Sequence, residues 1–234
     1  MLFCMKKFNE SVIKIILKNH LLVTKNSNLL KKSDSFIITE FNISNFSRRV
    51  DLVYFNKDKS IAFEIKSEFD SLLRLKSQTE EYLKYFDKVV VLAAKKHIGK
   101  VKSLVPENVG VWEFDEGKMK IIRRGKLQLI SDKMRFIRMM NLNELLVLCK
   151  RERIEMGDKK RLTLELNLKS LPIKTLKTEA VKFIQLRYQK RGDNYFDQGK
   201  IICIKKNKTK NPLKKTLSNN DISSFIEALS SIKI

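Results

Sequence analysis

Three residues in the N-terminal third combine side-chain types and spacing that could do chemistry: Asp51, Glu64 and Lys66. They lie in two runs rich in Val, Ile, Phe and Tyr, residues 50–55 and 60–66, which read as strands. The polar stretch Asn56-Lys57-Asp58-Lys59 between them reads as a turn. If those four residues form the turn, Phe55 faces Ser60 and Asp51 faces Glu64. Opposed side chains of an antiparallel pair share a face, with Cβ atoms ~4.5–5.5 Å apart, and two like charges there repel unless a cation sits between them. Alternation puts Glu64 and Lys66 on one side of the second strand, with Ile61, Phe63 and Ile65 on the other. Two hard oxygen ligands beside an ammonium group suit metal-assisted attack on a phosphodiester. The acids would hold Mg²⁺ (or Mn²⁺), the ion would polarise the phosphoryl oxygens and acidify bound water, and the lysine would stabilise charge or orient the water. The plainer reading of the same residues is a set of charges at the solvated end of a hairpin.

The elements that must position these groups follow from periodicity. Residues 9–22 place Val12, Ile13, Ile16, Leu17 and Leu21 at helical spacing behind Asn9, a good N-cap. Residues 36–43 alternate as a strand. After the hairpin, residues 71–86 form an amphipathic helix with Leu72, Leu75, Leu83 and Phe86 on its apolar side and Asp70 as cap or as a supporting contact for the site. Arg74, Gln78 and Tyr82 are spaced i, i+4, i+8 and make one ladder along that helix, placed to contact phosphate or to hold Lys66 and the acids. The apolar run 88–93 reads as a buried strand, followed by a helix over 96–104 and strands over 109–114 and 118–123. The order α-β-β-β-α-β-α-β-β mixes a meander with a βαβ crossover, so the class is α/β with a mixed sheet flanked by helices. The pattern changes near residue 126. Residues 1–126 read as one domain and 127–234 as a basic, mainly helical module, with helices over 142–150, 178–191 and 221–232 and an exposed basic loop over 205–215.

Charge supplies the candidate partner. The 234 residues carry 49 Lys and Arg against 26 Asp and Glu, a formal net charge of +23. Residues 150–234 hold 21 basic and 9 acidic side chains, nearly twice the net charge per residue of the remainder. Such a balance points to an anionic partner, nucleic acid first, although a lysine-rich surface also arises from AT-rich coding. With 43% hydrophobic residues the chain has material for a core and is not wholly disordered. Its longest apolar run is the six residues 89–94, too short to span a membrane, and the charged start does not read as a signal peptide. Cys4, Cys149 and Cys203 lack C-x-x-C spacing, and His20 and His97 stand alone, so neither a structural zinc site nor an iron–sulfur cluster is supported and any metal must take oxygen ligands. Free thiols in a reducing cytoplasm are the expected state.

The motif layout resembles the PD-(D/E)XK nuclease superfamily. Val50-Asp51 followed by Glu64-Ile65-Lys66 is similar to its signature, with Val50 where a proline is common, and Gln78-Thr79-Glu80-Glu81-Tyr82 is similar to the Q-x-x-x-Y motif of its RecB-like branch. Closer still in layout is a group of small uncharacterised bacterial and phage-borne proteins with a helical tail. Like them, this chain has an acidic first strand, then Arg49-Val50-Asp51-Leu52, then Glu64-Ile65-Lys66-Ser67 through Asp70-Ser71-Leu72 and Arg74-Leu75 to Gln78 and Tyr82. The resemblance covers residues 36–115 well and the tail loosely. It implies a restriction-endonuclease-like core, catalytic Asp51, Glu64 and Lys66, and a metal held by Asp51, Glu64 and the main-chain carbonyl of Ile65. It also implies a third acid, Glu40 on the first strand or Glu10 opening the first helix, and products with a 5′-phosphate and a 3′-hydroxyl. Arg48 and Arg49, just before the acidic strand, would bind a flanking phosphate.

The sequence therefore leads to a Mg²⁺-dependent nuclease acting on DNA, with the tail adding salt-dependent affinity. Two other readings stand beside it: a non-catalytic nucleic-acid-binding protein that keeps the nuclease fold, and a protein-interaction module with a basic tail.

Overall fold

The structure is a computed structural model that describes residues 8–23, 35–43, 48–56, 59–128, 131–189 and 201–203. The expected helix 221–232 and the basic loop 205–215 lie outside the described residues. Helix α1 (Glu10–Val23) opens on Asn9, whose side-chain oxygen accepts the Val12 N–H at 3.0 Å. It buries Ile13, Ile16, Leu17 and Leu21, while Val12, assigned to the apolar face from spacing, points to solvent.

Strands β1 (Phe36–Ile43), β2 (Arg48–Phe55) and β3 (Ser60–Lys66) form an antiparallel meander. Helix α2 (Leu75–Leu83) then crosses to β4 (Lys88–Ala94), which pairs parallel to β3. A 3₁₀ turn and α3 (Ile98–Leu104) lead to β5 (Gly110–Asp115), parallel to β4, and β6 (Lys118–Arg123) closes back antiparallel. The sheet order is β6-β5-β4-β3-β2-β1-β7, where β7 (Ile201–Cys203) pairs with β1. β3 is buried along its whole length because the sheet is covered on both faces. One core joins α1 to Leu52, Tyr54, Phe63, Ile65 and Trp112; the other joins α2 and α3 to Val53, Phe55, Ala62 and Val91. The hairpin has the expected register, with Phe55 opposite Ser60 and Leu52 opposite Phe63.

Helix α2 is shorter than its apolar periodicity suggests. Residues 71 and 72 are irregular and 73 and 74 form a turn, so that Arg74, not Asp70, occupies the N-cap position. Asp70 instead closes the preceding loop, its carboxylate accepting the N–H of Ser67 at 2.8 Å and the Ser67 hydroxyl. The capping role expected for Asp70 is thereby replaced: an Asp three residues after a Ser can satisfy that residue's amide in a tight turn and does so here before any helix begins.

Four further helices follow: α4 (Lys133–Met139), α5 (Leu142–Arg151), α6 (Arg161–Leu168) and α7 (Ile173–Gln189). Asn141 and Glu144 form a reciprocal capping box on α5. These helices enclose their own apolar cluster of Met134, Ile137, Leu145, Leu148, Leu164, Leu168 and Leu176. The last turns of α7 return to the sheet, where Ile184 and Tyr188 join the core and Tyr188 lies 5.7 Å from Phe41, ring centre to ring centre. Buried Arg135 pairs with Asp87 at 2.9 Å, and Asp87 also accepts from the Ser60 amide and hydroxyl. No helix among the described residues is long and apolar enough to cross a membrane.

His20, fully buried with its ring 6.5 Å from that of Trp112, has its pKa lowered to about 4 by burial. A folded-state pKa below the unfolded value of about 6.5 makes the neutral ring a source of stability above that pH, lost as pH falls towards 4. Urea unfolding at pH 7.5 and 4.5 should therefore show a loss of about 2–3 kcal/mol attributable to His20. The loss should shrink by that amount in His20→Leu; an unchanged pH dependence in the variant would refute the assignment.

Candidate functional site

The site forms where β2 and β3 part. Their last hydrogen-bonded pair is Leu52 with Phe63, so Asp51 and Glu64 stand opposite each other one step beyond it. There the Asp51 carboxylate replaces a backbone acceptor and takes the Ile65 N–H at 2.7 Å. The carbonyl of Ile65 points to the same side as its N–H, as in any extended strand, and so also faces this fork.

A kink in the neighbouring strand brings in further acids. Thr39 pairs with Leu52 and Phe41 with Val50, which puts Glu40 opposite Asp51. Glu40 has φ +55°, the left-handed region that costs a non-glycine residue about 1–3 kcal/mol. The kink reverses the alternation of β1: Phe36 and Ile38 before it, and Phe41 and Ile43 after it, all enter the same core. Alternation breaks on β2 at the matching place, with Val50 and Val53 in one core and Leu52 in the other. Glu40 is thereby aimed at α1, where Lys14 bonds its Oε1 and lies 3.0 Å from Glu10. Glu10, Glu40 and Asp51 each offer an oxygen within 4.8 Å of the others, close enough to share one cation.

Glu64 belongs to a second set of contacts. Almost fully buried, it accepts from Lys66 Nζ at 2.7 Å on Oε1 and from the Tyr82 hydroxyl at 2.8 Å on Oε2. Lys66 Nζ also donates to Gln78 Oε1 at 3.3 Å. Glu64 and Lys66 thus share a face, as alternation requires, and that face is covered by α2. Asp51 keeps the charge of Glu64 beside it, as the register requires, and the kink at Glu40 adds Glu40 and Glu10 to the acids around it. Both candidates for a third acid therefore reach the same place.

The remaining expected residues divide. Gln78 and Tyr82 reach the site, and Tyr82 also lies 3.0 Å from the Arg49 carbonyl. Arg49 pairs its side chain with Glu40 at 2.6 Å. Arg48 is 3.5 Å from the Ser77 hydroxyl on α2. Arg74 is exposed at the start of α2 and makes none of these contacts. Lys14 and His97 were missed from sequence. The i, i+4 spacing of Glu10 and Lys14 was the available signal for the first; nothing in sequence places His97, whose Nε2 is 3.1 Å from the Ser67 carbonyl.

Electrostatics follow the burial. The Asp51 carboxyl is pushed well above the usual carboxylate range by burial and by the charges of Glu64 and Glu10, against the pull of the Ile65 N–H and Lys14. Burial opposes the Lys14 charge, but its bond to Glu40 and the charges of Asp51 and Glu10 outweigh it and raise its pKa. Burial, then Glu64, raises the Tyr82 phenol and keeps it a hydrogen-bond donor. Lys14 and Arg49 balance two of the three acids in the cluster, and Asp51 is left as the carboxylate that a divalent ion would relieve. The donor set of hard oxygens around Asp51 suits such an ion.

Residues 5–218 match a family described as bacteriophage P4 protein cII. The chain belongs to the P4 protein cII family. Protein cII of Enterobacteria phage P4 is 41% identical over 99 residues, which make up 41% of this chain and 37% of that relative. The chain thus spans little more than a third of the length of that P4 protein. Among solved structures, the SPO1766 protein of unknown function from Silicibacter pomeroyi aligns with a TM-score of 0.35 and 19% identity, covering 50% of this chain and 77% of that one.

The Tyr82–Glu64 bond is the clearest single constraint inside the site of this family member. Tyr82→Phe removes a charge-assisted hydrogen bond from a buried carboxylate and should cost about 1.5–3 kcal/mol in urea unfolding. A variant as stable as the parent would show that Glu64 is held by Lys66 alone.

Proposed function

We propose that this protein is a divalent-metal-dependent nuclease of PD-(D/E)XK type that hydrolyses phosphodiester bonds in DNA. The observation that carries the reading is the fork itself. Acidic Asp51, Glu40 and Glu10 meet the backbone of Ile65 on one side of β3, and Glu64 and Lys66 stand on the same short strand at its open end. The helix order before and after the meander agrees with a restriction-endonuclease-like core.

In this reading Asp51, Glu64, the Ile65 carbonyl and Glu40 would hold Mg²⁺ or Mn²⁺, with Glu10 beside them. When bound, the ion withdraws charge from the phosphoryl oxygens and acidifies water. Asp51 supplies the least compensated negative charge, and the Ile65 N–H fixes the direction of its carboxylate. Lys66 orients the attacking water or stabilises charge on the phosphate, and Gln78 and Glu64 hold its ammonium in one place. Tyr82 locks the second oxygen of Glu64, so the carboxylate is oriented before substrate arrives. Arg48, at the edge of the site, contacts a neighbouring phosphate. Arg49 has a different part from the one its position suggested: its pairing with Glu40 balances the charge of that acid.

Plasmid nicking in Mg²⁺ tests the proposal. The parent should relax supercoiled DNA and lose this activity in EDTA. Asp51→Ala and Lys66→Ala should each lower the rate at least about a hundredfold, the scale of losing an electrostatic or acid–base group. Nicking that survives both substitutions refutes the mechanism. DNA binding without any metal-dependent product favours a non-catalytic nucleic-acid-binding protein.

A further inference from the structure

The loop between β3 and α2 carries a feature that phosphodiester chemistry does not use. Phe69 is 67% exposed and Leu73 is 93% exposed, two of the three most exposed large apolar side chains among the described residues. Both sit within seven residues of Lys66 in sequence, on the segment that leaves the site. A mobile loop could fold such side chains away, but this one is braced. The Asp70 carboxylate takes the amide and hydroxyl of Ser67, and the Phe69 N–H reaches the Ser67 hydroxyl at 3.3 Å. The Leu73 N–H reaches the Ser71 hydroxyl at 3.3 Å, Leu72 is buried in the core, and His97 holds the Ser67 carbonyl. The backbone is tied at several points while Phe69 and Leu73 are held outward.

Charge around the loop narrows what they meet. From Ser67 to Leu73 there is no Lys or Arg, and Glu68 and Asp70 make the loop itself unfavourable to phosphate. Cations flank it instead: Arg74 and Lys76 follow directly, Lys96 lies beside His97, and Arg48 approaches Ser77. A strand whose phosphates follow the flanking cations turns its bases, not its backbone, towards Phe69 and Leu73. Paired bases are stacked and closed to such contact, whereas unpaired bases offer an open π-face.

We infer that Phe69 and Leu73 form a base-stacking platform that selects DNA with unpaired bases next to the scissile phosphate. The inference rests on the nuclease reading for the position of that phosphate, and it adds the class of substrate. Single strands and forked or gapped junctions are bound in preference to blunt duplex, because only they can place a base on the platform.

The test uses the full chain in EDTA, so that binding is read without cleavage. Fluorescence anisotropy compares a labelled single strand with a blunt duplex of equal length at one salt concentration. The parent should prefer the single strand, and Phe69→Ala should weaken single-strand binding about ten- to a hundredfold while leaving duplex binding unchanged. Phe69→Trp should retain the preference and Leu73→Ala should reduce it in part. Both side chains are exposed, so circular dichroism should be unaltered. Equal losses on both DNAs, or none, overturn the inference. Plasmid nicking run in parallel separates the two proposals. Asp51-dependent cleavage with a Phe69-independent base preference refutes the platform alone; a Phe69-dependent preference without cleavage supports the platform and refutes the nuclease reading.

Discussion

The half-buried Asp51 carboxylate, held between two parting strands, constrains the groups around it. A charge partly withdrawn from water needs hydrogen bonds and countercharge, and here these come from two elements while a third adds another acid. Ile65 of β3 gives an N–H, Lys14 of α1 gives a cation, and Glu40 of β1 is turned into the same space by a left-handed backbone. The meander, the first helix and the kink are therefore parts of one arrangement. If α1 were displaced, Glu10 and Lys14 would leave together, and Asp51 and Glu40 would face each other with Arg49 on Glu40 as the cation beside them.

The second constraint is the contact set on the α2 face. Glu64, Lys66, Gln78 and Tyr82 are linked by hydrogen bonds of 2.7 to 3.3 Å, so no member can change direction without disturbing another. This links the site to the packing of α2, whose Leu75, Thr79 and Tyr82 are buried. It also separates two kinds of group: those held in place before any ligand arrives, and Asp51, whose charge is left undercompensated. Stability and the proposed chemistry pull in opposite directions at Asp51, and the left-handed backbone of Glu40 adds strain beside it.

The helical segment after residue 131 is joined to the sheet by polar as well as apolar contacts. Arg135 reaches Asp87 and the end of α7 packs Tyr188 against Phe41, while Gln128, just ahead of the segment, bonds the carbonyls of Leu83 and Phe86. Those contacts meet the sheet on the face that α2 also covers, so the tail supports the same layer from which Gln78 and Tyr82 reach the site.

Much of the fold was legible because its periodicities are strong. The strands 36–43 and 60–66, the Asn9 cap and the hairpin register all follow from alternation, capping chemistry and one four-residue turn, which are local properties. Local pattern was also where reading stopped. Residues 162–168 alternate Leu with polar residues, like a strand, yet they form α6, since burying Leu164 and Leu168 against α5 and α4 outweighs that pattern. Asp70 closes a turn where spacing suggested a cap. By itself the sequence determined which chemical groups were available, and it put Glu64 beside Lys66, because neighbours two apart on one strand share a face whatever surrounds them. The resemblance left Glu40 and Glu10 as alternatives, and only the tertiary structure brought both to Asp51. That meeting depends on a φ of +55° at one residue and on the docking of a helix four tens of residues upstream. No local periodicity records either event.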